Sequence, residues 1–369
     1  MQWQQRIFYK PLLIAMENVA NFVIAFVIAA GVTVAVTSRI RRFAIRKKIV
    51  DEPTLPRKIH SVPIPLLGGW ALFAGIGATF LYLFFAGLLN DSRVPLTLIQ
   101  AVFVGGGVLM LGGFIDDKYH LPWYAQLVFP ILAIIVVRLG GLTMPFVSNP
   151  FGRGLLQLDE FGIIATISLA DVFLFLWMLG MMYTTKLLDG IDGLATSTTV
   201  VAAFMLFAVS LFWDRAGSTT SYLAIALAGA AVGFLFWNWH PAKIFLGESG
   251  STFLGFMVAI LAVISGGKIA TALLVMGLPI LDVAWSMIRR VSRGTSPFAG
   301  DGQHLHFRLL QSGFTQQQVV IFYIVVSLLF GGVTFFFNTT LKLIALILLV
   351  LVMLGIIIYF ERHETTATA

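Results

Sequence analysis

The sequence predicts an all-α, polytopic membrane protein with about eleven transmembrane helices, and three observations carry that prediction. Hydrophobic residues make up 59% of the 369 and charged residues only 11%, whereas soluble domains carry charge on about a quarter of their residues. The mean hydropathy is +0.93. Apolar windows of about 20 residues, the length that crosses a bilayer as a helix, recur along the whole chain. The 35 Gly and 33 Phe suit helices packed closely in lipid. Cysteine is absent, which removes disulfides, thiolate nucleophiles and Cys-based metal sites together.

The elements follow in order. The first span, 19–37, has a start too rich in Glu17, Asn18 and Asn21 for a cleaved leader. The second, 64–89, comes after the basic and proline-containing stretch "PRKIHSVPIPLLGG", and the third, 97–115, runs into "GGFIDDKYH". The fourth is 122–139. The fifth, 161–184, and the sixth, 194–213, are joined by "KLLDGIDGLATS". The seventh, 221–239, and the eighth, 251–267, flank "NWHPAKIFLGESGS". Only "SGGK" separates the eighth from the ninth, 269–288. After "DGQHLHFRLL" come the tenth, 318–337, and the eleventh, 341–360. Asp171 falls inside the fifth span without a role, and Asp282 in the ninth reads equally as structural or catalytic.

Orientation follows from the basic residues. An outside N-terminus and a cytoplasmic C-terminus put segments 38–63, 116–121, 185–193, 240–250, 289–317 and the tail inside, with 16 of the 24 Lys and Arg. The run "SRIRRFAIRKK" alone carries six of them and anchors the first loop in the cytoplasm. A net charge of +7 suits anionic lipid or anionic substrates, although the positive-inside bias alone would produce it. Nothing points to nucleic acid. Without a repeat or a soluble domain, residues 1–369 read as a single transmembrane domain with catalytic cytoplasmic loops.

On this topology the unusual polar residues gather on the cytoplasmic side. They are Lys58 and His60, then Asp116 and Asp117, then Asp189 and Asp192, then Asn238, His240, Lys243 and Glu248, and finally His304, His306 and Arg308. Taken alone, an Asp pair at a span end is more often a solvated cap, and His-x-His is a weak metal signal. Five independent loops polar on one side are harder to assign to caps. Mg²⁺ takes oxygen ligands, usually one or two carboxylates plus substrate phosphates and water. Lys, Arg and His can then hold the remaining phosphate oxygens. Asp189 and Asp192, spaced i, i+3, share one helix face, and Gly190 and Gly193 leave room for backbone to approach a ligand. The pattern points to a Mg²⁺ site for phosphorylated substrates.

Together these segments resemble the polyprenyl-phosphate N-acetylhexosamine-1-phosphate transferases, a superfamily that includes the phospho-MurNAc-pentapeptide translocase. The matching pieces are "RKIHSVPIPLLGG", "GGFIDDKYHLP", "LLDGIDGLA", "HPAKIFLGESGSTFLG", "PILDVAWSMIRR" and "HLHFRLL", in the family's order, from residue 57 to 310. The resemblance implies transfer of a sugar-1-phosphate, GlcNAc-1-phosphate first of all, from a UDP-sugar to undecaprenyl phosphate with release of UMP. The implied cofactor is Mg²⁺, with Mn²⁺ as the alternative ion. The implied place is the cytoplasmic face of the inner membrane, in the first membrane step of a cell-envelope glycan such as lipopolysaccharide or teichoic acid. A homodimer is compatible with such a protein, though no residue argues for one.

Residue by residue, the resemblance puts Asp116 and Asp117 at the catalytic pair and Asp117, Asp192 and Glu248 at the metal. It puts Lys58, His60, Asp189, Asp192, His304 and His306 around the nucleotide sugar and its phosphates, and the one-sided clustering adds Lys186, Asn238, Lys243 and Arg308 there. This chain departs from the family pattern at Glu248, where Asp is usual, and at Lys186, where Asn is usual. It departs again at Phe307, where many members have another histidine. The missing triple-histidine run favours a simple UDP-N-acetylhexosamine donor over UDP-MurNAc-pentapeptide. A direct attack by the lipid phosphate and a route through an aspartyl-phosphate both remain open. The rival from another class is a secondary transporter of anionic metabolites, which would hold its ionisable groups at the midplane on broken helices.

Overall fold

In hydrocarbon every backbone N–H and C=O needs a partner within the chain, so helices are the expected answer. A computed structural model describes residues 2–53, 60–89, 91, 94–148, 154–164, 167–213, 217–265, 268–294, 303–336 and 339–367. The long first helix α1 (Gln2–Arg46) leads to an antiparallel pair, β1 (Val50–Asp51) with β2 (Ile64–Pro65), in the register Val50 opposite Pro65. Then come α2 (Gly68–Phe85), α3 (Leu96–Tyr119), the short α4 (Trp123–Gln126) and α5 (Val128–Leu139). Two small antiparallel pairs follow, β3 (Phe146–Ser148) with β4 (Leu155–Gln157) and β5 (Gly162–Ile164) with β6 (Ile167–Ser168). The chain continues through α6 (Leu169–Leu188), α7 (Leu194–Trp213), α8 (Thr219–Asn238) and α9 (Gly247–Ile264). It ends with α10 (Ile269–Val275), α11 (Gly277–Ser292), α12 (Leu305–Gln311), α13 (Gln316–Phe336) and α14 (Thr339–Ala367).

Among the described residues nine helices are long and apolar enough to cross a membrane, and a tenth span exists if the bent pair α10–α11 is counted as one. Two of the eleven expected spans therefore change. The window 122–139 is two helices, α4 and α5, together too short to match the others. Pro130 lacks the N–H that would bond the Gln126 carbonyl, which accounts for the break. The window 269–288 bends by 76° between α10 and α11. Pro279 removes the bond to the Val275 carbonyl, and Ser327 Oγ supplies the missing donor at 2.8 Å. The fifth span also begins later than expected. Asp171 is not buried in it but lies in the first turn of α6, in a capping box with Ser168 and an ion pair with Arg138.

The core is built on α8 and α9, each 83% buried over its span, while α1 and α14 are 22% buried and turn apolar faces outward to lipid. Helix α1 packs on α8 where Gly229 and Gly233 let the backbones approach. Helices α3 and α6 both pack on α9. At Gly113 of α3 an added Cβ would lie 2.2 Å from the Ser249 backbone nitrogen. That contact brings the C-terminal turn of α3, with its two aspartates, to the N-terminus of α9.

Candidate active site at the helix ends

A cavity of about 680 Å³ opens where the ends of α3, α6, α8 and α9 meet the loops before α2 and α12. Its wall takes residues from all five predicted clusters, among them His60, Asp116, Asp117, Lys186, Asp189, Asp192, Asn238, Glu248 and His304. Six carboxylates line it, counting Asp51, and among the described residues Lys186 is the only Lys or Arg that does.

Adjacent helical residues point about 100° apart, so the two aspartates of α3 differ in environment. Asp116 turns toward α4. Its Oδ1 accepts from the Leu121 N–H at 2.8 Å and from Gln126 Nε2 at 3.1 Å, which holds the turn after α3 in place. Asp117 turns toward α9, and its Oδ1 accepts from the Glu248 N–H at 3.0 Å, a carboxylate at a helix N-terminus. Its Oδ2 is buried and has no hydrogen-bond partner. A buried carboxylate oxygen left this way carries a desolvation cost that a ligand would relieve.

Lys186, in the last turn of α6, donates to Gln126 Oε1 at 2.8 Å and pairs with Glu248 Oε1 at 2.5 Å. Asp189 caps the same helix. Burial raises its carboxyl well above the ordinary carboxylate range, and the charges of Asp117, Asp192 and Glu248 raise it further. Asp192 spends Oδ2 on the loop after α8, where it accepts from His240 Nδ1 at 2.6 Å and from the Ala242 N–H at 3.0 Å. Asn238 braces that loop from behind. It accepts from Thr196 Oγ1 at 2.8 Å and donates to the Ile244 carbonyl at 3.1 Å. His60 Nε2 lies 2.8 Å from Asp51 Oδ2, and its Nδ1 lies 2.9 Å from the Val62 carbonyl.

On the opposite wall His304 is held by Asp282 of α11. Asp282 Oδ2 accepts from His304 Nδ1 at 3.0 Å and Oδ1 from the Leu305 N–H at 2.8 Å. His304 Nε2 lies 3.5 Å from an Arg290 guanidinium nitrogen, so the imidazole proton sits on Nδ1. His306 is parallel to His304 at 5.7 Å but is fully buried behind Gly190 and does not reach the cavity wall. Burial pushes its imidazole down to about 4, so it is neutral at pH 7.

Besides His306, two expected members of the site, Lys243 and Arg308, do not line this cavity. Lys243 is exposed and stands 5.7 Å from the Trp237 ring, because the loop that Asp192 ties down turns it outward. Arg308 is buried against the Gln303 carbonyl, to which its Nε donates at 3.2 Å. Lys58 lies outside the described residues. The structure adds Asp51, Gln126 and Gln316 to the site, and it gives contacts to two residues already singled out, His240 on Asp192 and Asp282 behind His304. Gln126 was legible as the one amide in an apolar stretch, "LPWYAQLVFP", and Asp282 as a carboxylate before two arginines.

Among the described residues no three His, Asp or Glu side chains meet closely enough to form a complete metal cage. Mg²⁺ does not need one, since it keeps waters and substrate phosphates in its shell. The unpartnered Asp117 Oδ2 and the excess of carboxylates over fixed cations fit such an ion.

The profile of glycosyl transferase family 4 matches residues 99–266. Over 309 residues the chain is 30% identical to a protein of Bacillus subtilis named as a probable undecaprenyl-phosphate N-acetylglucosaminyl 1-phosphate transferase, covering 82% of this chain and 80% of that one. It is 34% identical over 315 residues to a decaprenyl-phosphate N-acetylglucosaminephosphotransferase of Mycobacterium tuberculosis, covering 78% and 76%. It is 28% identical over 288 residues to an undecaprenyl-phosphate alpha-N-acetylglucosaminyl 1-phosphate transferase of Salmonella typhi, covering 75% and 73%.

Proposed function

Because this chain belongs to glycosyl transferase family 4, together with the polyprenyl-phosphate N-acetylglucosamine-1-phosphate transferases, we propose that it transfers GlcNAc-1-phosphate from UDP-GlcNAc to undecaprenyl phosphate and releases UMP. It is a multi-pass membrane enzyme. The cavity would open to the cytoplasm through an inner membrane, where UDP-sugars are made, in keeping with the bias of basic residues toward the loops around it.

The observation that carries the reading is Asp117 Oδ2, a buried acceptor without a partner in a cavity walled by carboxylates. Both reactants are anions, and a phosphate monoester carries about −1.5 to −2 at pH 7 with its second pKa near 6. The lipid phosphate is thus largely ready to attack and makes little demand for a base. What it needs is charge compensation and alignment with the β-phosphorus of the donor. Asp117, Asp192 and Glu248 would hold Mg²⁺ (or Mn²⁺), which when bound offsets the diphosphate charge and lets UMP leave as a stabilised anion. Asp116, fixed by Gln126, keeps the end of α3 in register rather than touching the reacting atoms. His304, set by Asp282, faces the sugar nucleotide, and the carboxylates of Asp189 and Asp192 close the floor. Direct attack by the lipid phosphate suits this arrangement, since it asks only for two anions held in line.

The test is UMP release from UDP-GlcNAc by purified protein with Mg²⁺ and undecaprenyl phosphate. Asp117→Asn is expected to abolish release, and a panel of UDP-sugars run in competition identifies the donor. If no UDP-sugar yields UMP above a protein-free control, the reading fails.

A further inference from the structure

The two departures from the family pattern at positions 186 and 248 touch each other. Lys186 Nζ and Glu248 Oε1 are 2.5 Å apart, with both side chains 16% exposed. The pair closes a ring of contacts across four helices. Asp116 of α3 accepts from Gln126 of α4, and Gln126 accepts from Lys186 of α6. Lys186 pairs with Glu248 of α9, whose N–H returns to Asp117 of α3. Lys186 thus draws on both ends of the acidic pair while being, among the described residues, the sole Lys or Arg on a wall with six carboxylates.

A charge arrangement of this kind is costly unless a cation stands among the carboxylates. We propose that Lys186 is that cation in the metal-free protein: it holds Glu248 in a place a divalent ion would otherwise take, and gives Glu248 up when the ion enters. The freed ammonium, at the same wall, is then available to the phosphate oxygens of the incoming substrate. Lys186 is a positioning residue that couples loading of the ion to capture of the diphosphate. This inference rests on the functional reading above and on Glu248 being an ion ligand.

The geometry favours exchange over permanent exclusion. A Lys ammonium is a compact point charge on a flexible stem of four carbons, so it can turn aside by rotation alone. The longer glutamate side chain reaches it from the first turn of α9. Asp117 Oδ2, adjacent to Glu248 through the Oδ1 contact and itself without a partner, is not engaged by Lys186 and stands ready for the ion.

The experiment measures Mn²⁺ binding, by the electron paramagnetic resonance signal of the free ion, to the full-length protein in lipid nanodiscs without substrates. Lys186→Gln keeps an amide that can reach Gln126 and Glu248 but removes the competing charge. It is expected to bind Mn²⁺ about tenfold tighter than the natural protein, equivalent to about 1.4 kcal/mol. The metal-free Lys186→Gln protein is expected to melt lower, with the gap closing when Mn²⁺ is added. Lys186→Arg restores the charge and is expected to return the affinity to within about threefold of the natural protein. Equal or weaker Mn²⁺ binding by Lys186→Gln overturns the proposal, as does a melting gap that Mn²⁺ leaves unchanged. Undiminished binding by Glu248→Gln overturns it from the other side. None of these readouts depends on turnover. A protein that transfers the sugar phosphate but fails the Mn²⁺ arms refutes the exchange alone, whereas absence of transfer refutes the functional reading.

Discussion

Asp282→Asn isolates the anchor of the histidine wall. Asp282 makes two bonds to groups it buries, one to His304 Nδ1 at 3.0 Å and one to the Leu305 N–H at 2.8 Å, with the Asp282 and His304 side chains each 6% exposed. Asparagine keeps an oxygen for Leu305 but turns an NH₂ toward a ring nitrogen that already carries a proton. Either that bond is lost, or the imidazole changes tautomer and gives up its contact with Arg290. A buried hydrogen bond to a charged group is worth about 1.5–3 kcal/mol, and a donor left facing a donor adds to the loss. A loss of about 2–3 kcal/mol expressed wholly in transition-state binding corresponds to about 30- to 150-fold in kcat/KM. Steady-state UMP release at varied UDP-GlcNAc measures it. Asp282 acts through His304, so in a His304→Ala background the same substitution should cost less than about threefold. A full-sized loss in that background, or an Asp282→Asn enzyme within about threefold of the natural one, would refute the anchoring argument.

Other expectations follow from the same geometry. Gly190→Ala places a Cβ 2.3 Å from His306 Nε2 and 2.9 Å from the Phe307 ring. It should lower stability by about 1–3 kcal/mol in chemical denaturation, and unchanged stability would mean that His306 can move. Gly113→Ala meets the Ser249 backbone rather than a side chain, so α3 and α9 must separate and activity should fall more than for Gly190→Ala. Asp189 has its carboxyl raised by burial and neighbouring carboxylates, so the folded protein keeps a proton that the unfolded chain releases. Its contribution therefore favours folding at and below the unfolded pKa of about 3.9, and stability is lost as pH rises from there toward the folded pKa. The thermal midpoint of the metal-free protein should fall with pH across that window, and Asp189→Asn should flatten the fall. An identical slope in the variant would remove Asp189 as its source.

The residues that carried charge into an apolar chain were the legible part of the site. Asp116, Asp117, Asp189, Asp192 and Glu248 stood out because carboxylates at span ends need a reason, and all five line one cavity. Composition and hydropathy likewise placed the helices, since a backbone in lipid has few alternatives. The boundaries failed where a local device overrode the hydropathy window. Pro130 and Pro279 broke two apolar stretches that averaged as spans, and the Ser168–Asp171 capping box started α6 later than its apolar flank suggested. Long-range pairing was not legible at all. Nothing in the spacing places Lys186 on Glu248, sixty-two positions away, or Asp282 beneath His304. Those contacts depend on which helix faces pack, which pattern alone does not fix. The same limit explains Lys243 and Arg308, whose residue type suited phosphate but which a tied-down loop and the helix α12 hold elsewhere.

In this reaction the phosphate should travel with the sugar. Incubating the purified protein with undecaprenyl phosphate, Mg²⁺ and UDP-GlcNAc labelled with ³²P at the β-phosphate separates this from ordinary glycosyl transfer. Label is expected in the butanol-extractable lipid, in step with unlabelled UMP in the aqueous phase, with no transfer by Asp117→Asn. Label remaining in the aqueous phase as UDP while GlcNAc reaches the lipid, or no lipid product at all, would contradict it.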